Sequence, residues 1–180
     1  SHDFGTSPPK DWALIGTKYR SSGKPNFISC ADGALPSEAH PTYLALIETL
    51  NKKFEQMAAQ EVRFESYLSS DAEIVLVAYG YTARVCKEAI KTARQEGIKA
   101  GLVRPITLWP FPETPISKLA EQGKKFLVVE DSLGQLVDDV KMAVDNKKLV
   151  RFLGMLARHS PTGEGMILPR RVLEEIREIA

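Results

Sequence analysis

Glu73-Ile74-Val75-Leu76-Val77-Ala78-Tyr79-Gly80-Tyr81-Thr82 is the stretch that decides the fold. Six apolar or aromatic residues follow one another, several of them β-branched, with no polar alternation. A strand covered on both faces has this composition, and such strands belong to parallel sheets. Gly80 ends the run, and Thr82 is placed to cap a helix reaching Gln95, with Val85, Ala89, Ile90 and Ala93 turned inward and Gly97 just past its end.

Downstream the alternation repeats. Lys99–Val103 reads as a second strand, and 105–112, with Pro105, Pro110 and Pro112, as a loop. Thr114 and Pro115 predict the start of a short helix closed by Gly123. Lys125–Glu130 is a third strand, after which Asp131 or Ser132 can cap a helix carrying Leu133, Leu136, Val137, Val140 and Ala143. Leu149–Leu156 is a fourth strand, and Pro169 opens a last helix with Val172, Leu173, Ile176 and Ile179 on one side. Strands alternating with helices define the α/β class: three layers, a mainly parallel sheet flanked by helices.

Upstream the pattern differs. Residues 1–37 carry Pro8, Pro9, Gly16, Gly23, Pro25, Gly33 and Pro36 and read as an extended, loop-rich arm. From Pro41 to about Ser66, Leu44, Ile47, Leu50, Phe54, Met57, Ala58 and Val62 recur at three- and four-residue steps, predicting a long amphipathic helix assigned to 38–68. Its stripe can close over its own domain, the preferred reading, or meet a partner subunit. The α/β domain is then 69–180.

The 180 residues hold 24 Lys+Arg against 23 Asp+Glu, a formal charge of +1. This balance argues against a main task of gripping nucleic acid or an anionic membrane. No apolar run reaches the roughly 18 residues of a membrane span, and the N-terminus lacks a secretory pattern, so a cytoplasmic protein is expected. Cys30 and Cys86 are the two cysteines, with no His or Cys near either at metal-ligand spacing, so neither a disulfide framework nor a metal site is expected. Cys86 reads as a small core residue. The start at Ser1-His2-Asp3 suggests a processed protein or a fragment.

Ligands in open parallel sheets gather outside the C-terminal strand ends, where helix N-termini offer unpaired N–H groups. Three places qualify. Gly80-Tyr81-Thr82 can hold an anion or be a turn with a capping Thr, and it lacks the dinucleotide and Walker patterns. Arg104–Pro112 can bind an acid or, as preferred here, form an interface through Trp109 and Phe111. Glu130-Asp131-Ser132, leading to Gly134-Gln135, complements a helix dipole, while a buried Glu130 could also transfer protons. His2, His40 and His159 share no catalytic frame, and Ser160 lies in no nucleophile elbow.

Several stretches occur together in order: Asp11-Trp12-Ala13-Leu14, Glu61-Val62-Arg63-Phe64-Glu65, Ala78-Tyr79-Gly80, Ala83-Arg84, Glu96-Gly97-Ile98-Lys99, Gly101 through Pro112, Val129-Glu130 and Gly134-Gln135. From about residue 11 onward the chain resembles the C-terminal half of the α subunit of 2-oxoacid:ferredoxin oxidoreductases, most like the 2-oxoisovalerate (ketoisovalerate) type. The resemblance implies a transketolase C-terminal-like domain of an enzyme that oxidatively decarboxylates a 2-oxoacid to acyl-CoA and reduces ferredoxin. It implies thiamine diphosphate, Mg²⁺, iron–sulfur clusters and CoA in the holoenzyme, all held outside this chain, since a cubane cluster alone needs four thiolates. Partners would be the rest of the α subunit, the other subunits and, through the holoenzyme, ferredoxin.

On this reading the isolated chain is inactive, holds no catalytic residue and serves assembly, with Thr82, Arg104, Glu130 and Gln135 as rim candidates for cofactor contact. The chain departs from the family pattern at Gly154–Gly165, where a Gly-Arg followed by Gly-Gly is expected, and at Tyr81, where a small hydroxyl residue is common. The alternative from another class is a free-standing α/β module that captures a small anion or nucleotide at the Gly80 and Gly134 turns.

Overall fold

The computed structural model describes residues 43–155 and 166–180. The expected arm at 1–37, the three histidines, Cys30, Ser160 and most of the atypical loop after Gly154 lie outside the described residues. The chain divides into two compact units, Ser1–Phe54 and Glu55–Ala180.

Helix α1 spans Tyr43–Gln60 and crosses that division. Leu44, Ile47 and Phe54 of its apolar stripe are exposed. The helix expected to continue through Ser66 stops at Gln60, and Phe64–Tyr67 form strand β1 instead. The reason is tertiary: β1 pairs antiparallel with β3, Glu65 lying opposite Arg104 and Phe64 opposite Pro105. Phe and Tyr on a half-exposed, alternating segment suit an edge strand.

The second unit is a five-stranded sheet with helices on both faces. Its elements are β1, β2 (Ile74–Val77), α2 (Gly80–Gln95), β3 (Ala100–Pro105), α3 (Glu113–Glu121), β4 (Lys125–Val129), α4 (Leu136–Ala143), β5 (Val150–Leu153) and α5 (Pro169–Ile179). Strand order is β1-β3-β2-β4-β5, with every pair but β1/β3 parallel. All four residues of β2 are buried, as an unbroken apolar run requires at the centre of a parallel sheet.

Successive residues of a strand point to opposite faces, and the core divides accordingly. Ile74, Leu76, Leu127 and Val129 pack with Ile90 and Ala93 of α2 and Val172 and Ile176 of α5. Val75, Val77, Phe126 and Val128 pack with Ile116 of α3 and Leu136, Val137 and Val140 of α4. The three-layer α/β architecture predicted from the strand–helix alternation is therefore the one observed.

One junction fixes the β1 edge. A Cβ on Gly101 would lie 2.3 Å from the Leu68 carbonyl oxygen, so only glycine lets β3 approach the β1–β2 turn. Arg94 of α2 secures the same turn: it donates to the carbonyls of Leu68 and Ala100 and forks onto the Asp71 carboxylate. At the opposite end of the strands, Thr107 ties the proline loop down. It accepts from the Arg63 N–H at 3.0 Å and donates to the Pro110 carbonyl. Pro110 and Pro112 are buried and Trp109 stands outside, 55% exposed.

Candidate functional site

The direction of the connections reverses between β2 and β4. From β2 the chain runs through α2 on one face toward β3, whereas from β4 it runs through α4 on the other face toward β5. The crevice outside the C-terminal ends of two such strands is the usual ligand position in open α/β sheets. Its two walls are the turns at Gly80 and at Glu130.

The Glu130 turn is filled by its own chain. Glu130 is 1% exposed, and its carboxylate accepts the N–H groups of Gln135, Leu136 and Val137 at 3.0–3.1 Å and the Ser132 hydroxyl at 2.8 Å. A buried carboxylate is tolerated only when its oxygens are satisfied in this way. The cap of α4 is thus Glu130, reaching forward from the strand end. Asp131 and Ser132, expected as caps, open a run of bends through Gln135, and the helix begins at Leu136, leaving Leu133 75% exposed rather than inward on the helix. Gln135 remains exposed at the N-cap position.

The Gly80 turn is built differently. Gly80 has φ +59°, the left-handed region where glycine is unstrained, and α2 starts there with Tyr79 at its N-cap. No side chain caps this helix. Thr82, expected to do so, is buried and donates its hydroxyl to the Tyr79 carbonyl at 2.7 Å. Likewise Pro112, not Thr114, occupies the N-cap of α3.

Tyr81 joins the two turns: its hydroxyl donates to the Asp131 carboxylate at 2.5 Å. Burial, reinforced by that neighbouring charge, pushes the phenol up to about 12. Beside this link is an open pocket of about 290 Å³ lined by Gly80, Tyr81, Ala83, Arg84, Lys87 and Arg104. Lys87 pairs with one oxygen of Glu65, and Arg104 reaches the other at 3.1 Å. The Lys87 ammonium, then Arg104, hold the Glu65 carboxyl below its usual range despite some burial.

Of the residues singled out from sequence, Arg104 and the Gly80 turn therefore meet in one pocket. Glu130 and Gln135 form the second turn, Thr82 is engaged within its own helix, and Trp109 and Phe111 lie on the proline loop, Phe111 half-buried against the core. Arg84, Lys87 and Glu65 were missed. The three-residue spacing of Arg84 and Lys87 after Gly80 was a legible signal, but Glu65 enters only through strand pairing.

Among the described residues no three His, Cys, Asp or Glu side chains converge as a metal site. Cys86 is buried and burial raises its thiol pKa, the wrong direction for a thiolate ligand. Among the described residues the donors do not fit Mg²⁺ or an iron–sulfur cluster. Nor is any described helix long and apolar enough to cross a membrane.

The fold is an open α/β sheet with reversed connections, the architecture found in a transketolase and in a 2-oxoacid:ferredoxin oxidoreductase. A solved split-gene transketolase, an inactive β4 tetramer, shares it at TM-score 0.54 and 20% identity over 65% of this chain and 42% of that one. The 2-oxoglutarate:ferredoxin oxidoreductase of Magnetococcus marinus, solved with 2-oxoglutarate, coenzyme A and succinyl-CoA, shares the fold at TM-score 0.63 and 22% identity, covering 88% of this chain and 28% of that one. Residues 72–165 match pyruvate:ferredoxin oxidoreductase core domain II, and the chain belongs to that family. It is 46% identical over 131 residues to the ketoisovalerate oxidoreductase subunit VorB of Methanothermobacter thermautotrophicus, covering 73% of this chain and 35% of the relative. With the 2-oxoglutarate synthase subunit KorA of Methanothermobacter marburgensis it shares 41% identity over 85 residues, 47% of this chain and 23% of the relative. The chain spans about a third of the length of the VorB relative.

Proposed function

We propose that this chain is the C-terminal domain of the α subunit of a 2-oxoacid:ferredoxin oxidoreductase that acts on 2-oxoisovalerate, oxidatively decarboxylating it to an acyl-CoA and passing the electrons to ferredoxin. The observation that carries this reading is the 46% identity with a ketoisovalerate oxidoreductase subunit over 131 residues. Thiamine diphosphate, Mg²⁺, the clusters and CoA are held by other parts of the complex, and the contribution of this domain is to assembly. The setting of this reading is the cytoplasm. Trp109 and the exposed Ile106 and Leu108 beside it are the surface offered to another part of the complex, and Arg104 and Gln135 are the rim residues nearest to a contact with its ligands.

The test is a CoA-dependent assay of the complex assembled from the complete subunits, with a low-potential dye as electron acceptor and 2-oxoisovalerate, pyruvate or 2-oxoglutarate as substrate. Highest kcat/KM with 2-oxoisovalerate is expected, and preference for either of the others, or no dye reduction, overturns the reading. In the same complex Trp109→Ala should weaken subunit association while leaving the domain folded. Unchanged association would remove Trp109 from the interface.

A further inference from the structure

Three cations line a concave surface beside the Gly80 wall of the crevice. Arg84 and Lys87 from one face of α2 and Arg104 from the end of β3 line the pocket of about 290 Å³. That volume is at the lower end of small-molecule sites, which run from ~300 to 1,000 Å³. Glu65 is shared between Lys87 and Arg104, and the Asp131 carboxylate stands behind Tyr81. Arg84 is exposed and makes no ion pair among the described residues. The Nε of Arg104 is buried without a hydrogen-bond partner, an arrangement that costs stability unless an acceptor arrives.

Two features add to the cation cluster. The pocket includes Gly80 at the start of a 16-residue helix whose first N–H groups receive no side-chain cap, so the helix dipole points positive charge into the same space. Tyr81, which could have hindered an anion, is held by Asp131. A guanidinium fork, a second guanidinium, an ammonium and backbone N–H groups without a side-chain cap suit a tetrahedral dianion with several acceptor oxygens better than a single carboxylate.

We propose that the Gly80–Arg84–Lys87–Arg104 pocket binds the phosphate group of a small phosphorylated molecule. This stands independently of the oxidoreductase reading, because the pocket is formed wholly within this chain. Arg84 supplies the uncommitted charge, Arg104 and Lys87 turn from Glu65 toward the incoming anion, and Glu65 sets the affinity by competing with it.

The test is calorimetric titration of the 180-residue chain at low ionic strength with inorganic pyrophosphate, with acetate as the carboxylate control. One-to-one binding of pyrophosphate, weakened about tenfold or more by Arg84→Ala and strengthened by Glu65→Gln, is expected. Lys91→Ala, which removes an exposed charge elsewhere on α2, should leave the affinity unchanged. Equal affinity for pyrophosphate and ADP would assign recognition to the phosphates alone, and tighter ADP binding would extend it to the organic part; either upholds the site. Absence of saturable binding, equal binding of acetate, or equal losses in Arg84→Ala and Lys91→Ala would overturn it.

Discussion

Two strand-to-helix turns stand side by side at the carboxyl edge of this sheet, and they solve the same electrostatic problem in opposite ways. After β4, the first N–H groups of α4 are met by Glu130 of the same chain, sealed at 1% exposure. After β2, the N-terminus of α2 has no side-chain cap and looks onto three cations. A helix N-terminus attracts negative charge in either case. Where the chain supplies the anion, the turn is structure; where the chain supplies further positive charge, the turn is prepared for an anion from outside.

The largest effect should come from breaking the sealed turn. Glu130→Ala leaves three N–H groups of a buried helix start without acceptors, and at about 1–3 kcal/mol each the loss is roughly 3 kcal/mol or more. Thermal unfolding should fall by roughly 6–12 °C for a chain of this size. A shift of only a degree or two would mean that water caps α4 as well as Glu130 does, and the contrast between the turns would lose its basis.

A smaller change is expected from the link between them. Tyr81→Phe removes one hydroxyl–carboxylate bond at a partly exposed site, about 1 kcal/mol at neutral pH. Because the folded phenol is raised to about 12 from 10.0, its contribution is complete below pH 10 and disappears as pH rises toward 12. Stability profiles of the parent and Tyr81→Phe should therefore converge over that interval. Parallel profiles would show that the bond contributes nothing in solution.

The smallest effect concerns Glu65. Its carboxyl is lowered from 4.5 by Lys87 and Arg104, so the stability it contributes is present above about pH 4.5 and declines as pH falls below that value. Solvent screening keeps this modest. Urea midpoints measured from pH 6 to pH 3 should fall slightly less steeply in Glu65→Gln than in the parent. Identical slopes would mean that the pairs seen at β1 are not maintained in solution.

The parts of this molecule that sequence made legible are those whose cause is local. The apolar runs at Ile74–Val77 and Lys125–Val129, and the stripe Val172, Leu173, Ile176, Ile179, follow directly from burial and periodicity. β1 escaped because its four residues directly follow the helical stripe that ends at Val62 with no breaker between, and only pairing with β3 makes them a strand. Gly101 shows the same non-local logic, its missing Cβ being required by Leu68, 33 positions earlier. The start of α4 was misplaced because the capping oxygen comes from a strand end, five to seven residues before the N–H groups it receives. At the site, Arg104 was visible as a charged strand terminus. Arg84 and Lys87 were legible only as a three-residue spacing on the polar face of α2, with nothing in the sequence to set it apart from a solvated face, and Glu65 arrives from the sheet edge.

The most direct test of the contrast between the turns is a residue-resolved one: amide NMR spectra of the chain recorded during titration with inorganic pyrophosphate. The account predicts saturable shifts at Gly80, Tyr81, Thr82 and Arg84 and none at Gln135, Leu136 and Val137, whose N–H groups Glu130 already occupies. Shifts of equal size at both turns, or none at the Gly80 turn, would contradict it.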